Sequence, residues 1–497
     1  MSTRSRLRRI PTAVAALVAV AALTAVGVVG QSRADATPAA VVPPTVAPVD
    51  STSLVCPAPI ASGTALNTTI TAASAAILPV VAATSGAPGP GIAEVGPLGS
   101  SVFVPKLRLS RLDSGAGYTV TGKSTGPVVA TATGTFAPGL AADQLTRGNS
   151  GRYSGLAALP CGPALTDAWF IGGGSAVGRL TQLFLSNVDD SPAQVDVLLY
   201  GTRGPISAPS ALGVVVAPRS RVVISLPTLV PGQPLVALHV IAQAGRISPA
   251  VLDNQVNGLV PQGLEYLPVT SAHRRVVIPG VLSGPGSRTL MLLAPANNAQ
   301  VVVSVLTVDG ALTQVGLASF TLSAGRVTQV RLDKVLHGQA VGLVLTSDQP
   351  IVAGVHTVLV GSPTDTADVA GTAALDTVGM ITGLSPQQSN SLVVAAPGAA
   401  GRLQITTHAV GKPVAATTRT VVIPAASSVR VSLPSVPGAA WTWVVLEPAA
   451  GSGPLYAARV SAGGNGRGTL ITMAPVLPLR PLTSIPASAY QVGLDDR

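Results

Sequence analysis

Aromatic side chains are scarce in this chain, at 3% of 497 residues. Its cores must therefore be built from Val, Leu, Ile and Ala, and there are too few rings for a base-stacking platform of the kind that binds single-stranded nucleic acid. Charge is scarce too: 10% of residues are Asp, Glu, Lys or Arg, against about 25% in a typical globular domain. The only glutamates are Glu94, Glu265 and Glu447, and the only lysines Lys106, Lys123, Lys334 and Lys412. Beyond residue 30 no uncharged apolar run reaches the ~18 residues that a second membrane span would need. The 53 Gly and 43 Pro show no Gly-X-Y period, which excludes collagen, and a mean hydropathy of +0.52 argues against disorder.

What is present is length and a basic balance. A single core rarely extends beyond ~250–300 residues, so two to four domains are expected. The net charge of +10 falls to +6 once the first 36 residues are set aside. The remaining Arg residues are scattered singly, with no clustered patch, so nucleic acid is not an expected partner.

The N-terminus reads as an export segment. Arg4, Arg6, Arg8 and Arg9 precede 21 uncharged residues, Ile10–Gly30, and Ala34-Asp35-Ala36 then fits a signal-peptidase site. The apolar run is also long enough to span about 30 Å of hydrocarbon. A cleaved signal peptide (residues 1–36) and an uncleaved signal-anchor, held in the membrane through residues 10–30, both fit. Either way the rest of the chain is expected outside the cytoplasm. Residues 37–51 are rich in Pro and Ala and read as an extended spacer. Cys56 and Cys161 are the only cysteines; in an exported chain such a pair points to a disulfide.

The body reads as strands. Short β-branched runs alternate polar and apolar between Gly and Pro, as in Val128–Phe136 and Leu403–His408. A period near 100 residues follows. Ala217–Leu226, Ser323–Leu332 and Pro424–Leu433 align, as do strands beginning at Leu183, Leu290 and Leu392, and at Ile247, Ile351 and Leu455. In the first set, taken as a central strand, Leu226, Leu332 and Leu433 should face the core. The expected fold is all-β: tandem immunoglobulin-like β-sandwich modules after a single N-terminal apolar helix. The modules are a divergent one at 52–165 holding the disulfide, then repeats at 167–260, 270–361 and 375–463, with linkers around Gly263–His273 and Gly361–Leu375 and a tail at 464–497.

Asp167-Ala168-Trp169-Phe170-Ile171-Gly172-Gly173-Gly174 with the strand from Leu183, and Ser53-Leu54-Val55-Cys56-Pro57-Ala58-Pro59 after the spacer, carry a resemblance. They resemble motifs of an uncharacterised actinobacterial family, domain of unknown function 5719. Val188 departs from the family's usual Pro, and the later repeats open with Ile278-Pro279-Gly280 and Ile381-Thr382-Gly383, without Trp. The resemblance implies an envelope location and β-repeats, with Trp169, Phe170, Gly172 and Gly173 as a structural motif. Family members resemble genomic neighbours of envelope glycosyltransferases, which suggests envelope work by association alone.

Catalytic signals are weak. Asp189-Asp190, and Asp365 with Asp368 in an expected loop, are the paired carboxylates available for glycan chemistry. Adjacent Asp residues more often cap turns, and no EF-type spacing supports Ca²⁺ at Asp365 and Asp368. His239, His273, His337, His356 and His408 show no metal spacing. Gly172–Gly178 lacks the Lys of a phosphate loop, and no G-x-S-x-G elbow is present. No catalytic residue, metal or cofactor is assigned. Trp441 and Trp443 share a strand face and form a candidate aromatic binding surface; the structural alternative, which the shortage of aromatics favours, is that they cap the core of the third repeat. The expected function is therefore that of a non-catalytic, extracytoplasmic envelope protein, secreted or membrane-anchored, binding or scaffolding an envelope polymer or a membrane protein, including a glycosyltransferase as its accessory subunit. An exported polymer hydrolase is the alternative.

Overall fold

In sheet after sheet of the computed structural model, the alternating Val, Ile and Leu of one face close over a core while Thr, Ser and Arg face out. The structure describes residues 45–57, 66–77, 89–99, 103–120, 126–148, 151–313, 317, 319–336, 341–361, 363–411, 414–464 and 469–485. The export segment, residues 37–44 of the spacer, His337 and the last 12 residues of the tail lie outside them. Among the described residues no helix is long and apolar enough to cross a membrane. The only α-helical turns there are Leu226–Leu229 and Asp333–Leu336. The chain is all-β. Thr45–Pro48 pairs with Leu482–Ile485 in a two-stranded sheet.

Residues 48–482 form one compact unit in which a single topology recurs four times. In repeat 1 one sheet runs, in strand order, Asp167–Gly173, Val236–Ala244, Ala193–Gly201, Gly204–Ile206; the other runs Ser220–Ser225, Arg179–Asn187, Ser248–Asn257, Val260–Leu267. Repeat 3 repeats this order over residues 379–475, and the N-terminal module repeats it over residues 51–160 despite its divergent sequence. In repeat 2, residues 273–370, the 19-residue strand Val341–Leu359 serves both sheets in turn. Each module encloses an apolar cluster, and that of repeat 2 runs on into Val393, Val460 and Met473 of repeat 3.

Leu226, Leu332 and Leu433 are all buried. Ile224, Val330 and Val431, two residues before each, pair with Leu183, Leu290 and Leu392. The strand that ends at each of these leucines is an edge strand of its sheet, not a central one. The expected linkers are a further correction. Val260–Leu267 and Asp365–Ala370 are the last strands of repeats 1 and 2, and Thr469–Pro475, expected in the tail, is the last strand of repeat 3. A polar or glycine-bearing stretch such as Gly263-Leu264-Glu265 reads as a connection until its polar groups find partners in neighbouring modules.

The modules close in a ring, each packed on the next through an apolar seam. Leu66 and Ala157 of the N-terminal module meet Phe184 and Tyr266 of repeat 1. Trp169 and Ile171 of repeat 1 meet Met291, Leu293 and Val352 of repeat 2. Val277 and Val344 of repeat 2 meet Ala395 of repeat 3. Met380 and Trp443 of repeat 3 meet Ala73 and Ala141 of the N-terminal module, closing the circle. The chain enters and leaves the ring together, since the Val49 N–H donates to the Pro481 carbonyl over 2.9 Å.

The I-x-G motif that opens each repeat is a seam device. Each opening strand slips register there, between Ile171 and Gly173, between Ile278 and Val281, and between Ile381 and Leu384. The bulge turns the strand onto the next module. Gly383 has φ +65°, and a Cβ on it would sit 2.4 Å from Thr71 Oγ1 of the N-terminal module. Gly383→Ala should therefore destabilise the ring by about 1–3 kcal/mol, read as a lower urea midpoint.

Cys56 and Cys161 form the disulfide, with Cα atoms 4.5 Å apart. It ties the strand Ser51–Cys56 to the residue following the last strand of the same module. The chain-entropy model gives a closure of this length about 4–5 kcal/mol. Reduction, or Cys56→Ser with Cys161→Ser, should lower the thermal midpoint, while the unreduced protein should not react with a thiol label in denaturant.

Candidate functional site on the ring axis

Each module presents one edge strand to the centre: Gly155–Pro160, Val260–Leu267, Asp365–Ala370 and Thr469–Pro475. An edge strand carries N–H groups with no further strand to receive them. Here two carboxylates receive them. Asp365 accepts from the backbone N–H of Leu156 at 3.1 Å, Leu264 at 3.4 Å, Thr366 at 3.0 Å and Ile471 at 2.9 Å, so its two oxygens reach all four modules. Glu265 accepts from Ala158 N–H at 3.3 Å, Tyr266 N–H at 2.9 Å, Met473 N–H at 3.1 Å and the Thr472 hydroxyl at 2.8 Å. Leu156 and Ala158, like Ile471 and Met473, are two apart, so their N–H groups leave the same strand edge and meet Asp365 and Glu265 in turn. Gly155 permits this approach, because a Cβ there would lie 2.9 Å from Asp365 Oδ1.

Both side chains are 0% exposed. Burial pushes the Asp365 carboxyl up to about 8 against the opposing pull of its four N–H donors. Burial, with the nearby Asp368 charge, holds Glu265 well above the usual carboxylate range. Further buried polar pairs surround them. His356 Nδ1 lies 3.0 Å from Asp368 Oδ1, and Arg179 Nη2 lies 2.9 Å from Asp253 Oδ2. Burial pulls the Arg179 guanidinium down, but Asp253 more than offsets this and leaves it raised. At the closing seam Arg459 Nη1 is 3.8 Å from Asp143 Oδ1, and Asp143 accepts from the Thr382 N–H at 2.5 Å and its hydroxyl at 2.9 Å. Burial raises the Asp143 carboxyl.

Chemically, the axial carboxylates accept hydrogen bonds and join modules. General acid–base chemistry requires a group within hydrogen-bond reach of a substrate proton, and neither carboxylate meets solvent. Among the described residues no three His, Cys, Asp or Glu stand where they could share a metal ion.

The residues singled out in the sequence are dispersed by the fold. Asp365 and Asp368 lie on a buried strand, not a loop. Asp189 and Asp190 lie in a turn, paired with Arg246 at 2.7 Å and Arg219 at 2.5 Å. Trp443 is 1% exposed and stacked on His408 with centroids 3.8 Å apart. It fills a seam and offers no platform; Trp441 is only part-covered. Trp169 stacks on His239 at 3.7 Å and fills the next seam, while Phe170 lies in the core of repeat 1. Gly173 sits at the bulge, and the Gly172 carbonyl accepts from Arg179 Nη2. The N–H groups of Gly174 and Ser175 are used internally, by Thr181 Oγ1 at 2.8 Å and the Gln233 carbonyl at 2.7 Å. Sequence reading passed over Glu265. Its one signal is an acid inside an apolar strand, Leu264-Glu265-Tyr266-Leu267, in a chain with almost no Glu.

The family of unknown function DUF5719 matches residues 116–434. The chain belongs to that family. The DUF5719 match opens in the strand Ser114–Val120 and closes just after Leu433, so it takes in three of the four axial strands and both axial carboxylates. No curated protein matches the chain.

Asp365→Ala leaves four buried N–H groups without their shared acceptor and should cost about 3–5 kcal/mol. Because burial raises the folded Asp365 value above its unfolded one, the folded state binds the extra proton. That contribution is complete below pH ~4 and is lost as the pH rises through about 8. The urea midpoint should therefore fall between pH 5 and pH 8.5, and Asp365→Asn, though less stable at pH 5, should show a shallower fall.

Proposed function

We propose that this chain is a non-catalytic, extracytoplasmic envelope protein, a fixed ring of binding modules that docks an envelope polymer or a membrane protein. One observation carries the reading: the acids whose proton affinity is raised, Asp365, Glu265 and Asp143, are built into joints between modules and enclosed. The side chains best tuned for acid–base work hold the scaffold together. The Cys56–Cys161 disulfide supports a place outside the reducing cytoplasm. We read each module as an immunoglobulin-like sandwich with exchanged strand partners. Of its seven long strands the first, fifth and third form one sheet and the fourth, second, sixth and seventh the other, so the second pairs with the sixth and the third with the fifth, where an immunoglobulin domain pairs the second with the fifth and the third with the sixth.

The test is fractionation of expressing cells together with incubation of the purified protein on isolated envelope polymer. The expected result is full-length protein in the envelope or medium, its cysteines unreactive until reduced, with no release of reducing ends. Cytosolic protein with free thiols would overturn the location. Release of reducing ends that Asp189→Asn with Asp190→Asn abolishes would overturn the non-catalytic reading in favour of a hydrolase.

A further inference from the structure

The four axial strands run in the same direction. Leu156, Leu264, Asp365 and Ile471 share one level along the axis, and Ala158, Glu265 and Met473 share the next. The described residues that lead into the first three of these strands therefore lie together at one end of the ring. Pro48 and Leu482, where the chain enters and leaves, lie towards the opposite end: Leu479 N–H donates to Val378, just before the strand Gly379–Leu384 sets out toward the turn end.

Exposed aliphatic side chains gather at the turn end. Val177 is 107% and Leu259 97% exposed, and the Val256 N–H bond to the Gly178 carbonyl sets their two turns side by side. Val360 caps the equivalent turn of repeat 2, and Val308 the outer hairpin at the same end. Trp441, part-covered, begins its strand there opposite Val410. The charge at this end is basic: Lys106, Arg152 and Arg203 are exposed, and Asp309 is the one exposed acid among its described residues. Asp333 is engaged by Arg288 and Arg331.

We propose that this turn-bearing end docks on the surface of an anionic phospholipid bilayer. The apolar side chains stand out as separate tips rather than lining a groove. A rigid protein partner would need a matching pocket for each tip, whereas a lipid interface yields around all of them. Trp at an interface and Arg and Lys over anionic headgroups are the other two elements of such contacts. The like charge of this end disfavours pairing with the same face of a second copy. This inference stands apart from the envelope reading, because it makes no use of which side of a membrane the ring occupies.

The probe is the full chain carrying Leu259→Trp, titrated with vesicles of brominated phosphatidylglycerol or brominated phosphatidylcholine, with the unsubstituted protein as background. Residues 1–44 contain no Trp, so insertion of the apolar N-terminal run adds no quenching of its own. Thermal melting checks that the variant folds, which a fully exposed tip should permit. We expect the added Trp to lose about half its emission with the anionic lipid and little with the neutral one, and the loss to fade near ~1 M salt, where the Debye length is about 3 Å. No quenching by either lipid would overturn the proposal. So would equal quenching by both, or a lipid-free dimer that Val177→Asp with Leu259→Asp dissociates.

Discussion

A β-sheet that stops must leave one row of N–H groups without a strand to receive them, and four sheets stop at the centre of this ring. The structure depends on how those rows are satisfied. A fifth strand in each sheet would complete the hydrogen bonding but leave the modules independent. Asp365 and Glu265 instead carry oxygens across the axis, so the partners missing from one module are supplied by its neighbours. A carboxyl group suits this place because its two oxygens have lone pairs directed several ways, and edge N–H groups converge from several strands. The cost is burial of an acid, which is why its proton affinity rises.

This arrangement explains why four small modules behave as one body. Each has a core of modest size and low aromatic content, and the chain spends its few large rings between modules as well as within them. Trp169 and Trp443 lie in seams, Phe170 in a core. The glycines of the I-x-G openings serve the same seams, since a side chain at Gly383 would meet Thr71 before the modules reached contact. The family motif is thus a joint, and its Trp can be absent from later repeats because Val277 and Met380 fill the corresponding seams.

What the sequence made legible follows from the range of each signal. Strand alternation and the 100-residue period are local, and Leu226, Leu332 and Leu433 could be read as core positions from spacing alone. Whether a strand is central or at an edge depends on partners far along the chain, so their edge position was not legible. Nor was the fourth copy of the topology, because residues 51–160 keep the strand order without the aligned residues. Asp365 and Glu265 lay in stretches read as connections for the same reason. An acid in a strand makes physical sense only once the donors around it are known, and those come from residues up to 209 positions away.

Repeats that pack face to face can continue without limit, as solenoids do, and then need capping units. This chain closes instead, and its closing seam differs from the others. Where repeat 3 meets the N-terminal module, Thr71, Asp143, Thr382 and Arg459 form a buried polar cluster, with Thr71 Oγ1 2.9 Å from Thr382 Oγ1. Arg459 stands opposite Leu392 as Val251 and Val355 stand opposite Leu183 and Leu290 in repeats 1 and 2, whereas Asp143 stands opposite Thr71 in the N-terminal module. Opposite charges on the two sides of this seam favour contact between these two modules and penalise a pairing that would leave either charge buried alone. The divergence of the N-terminal module is what permits this. Four identical repeats could not carry an acid at one end and a base at the other, and a ring that closes on itself through such a pair defines where its sequence must stop repeating.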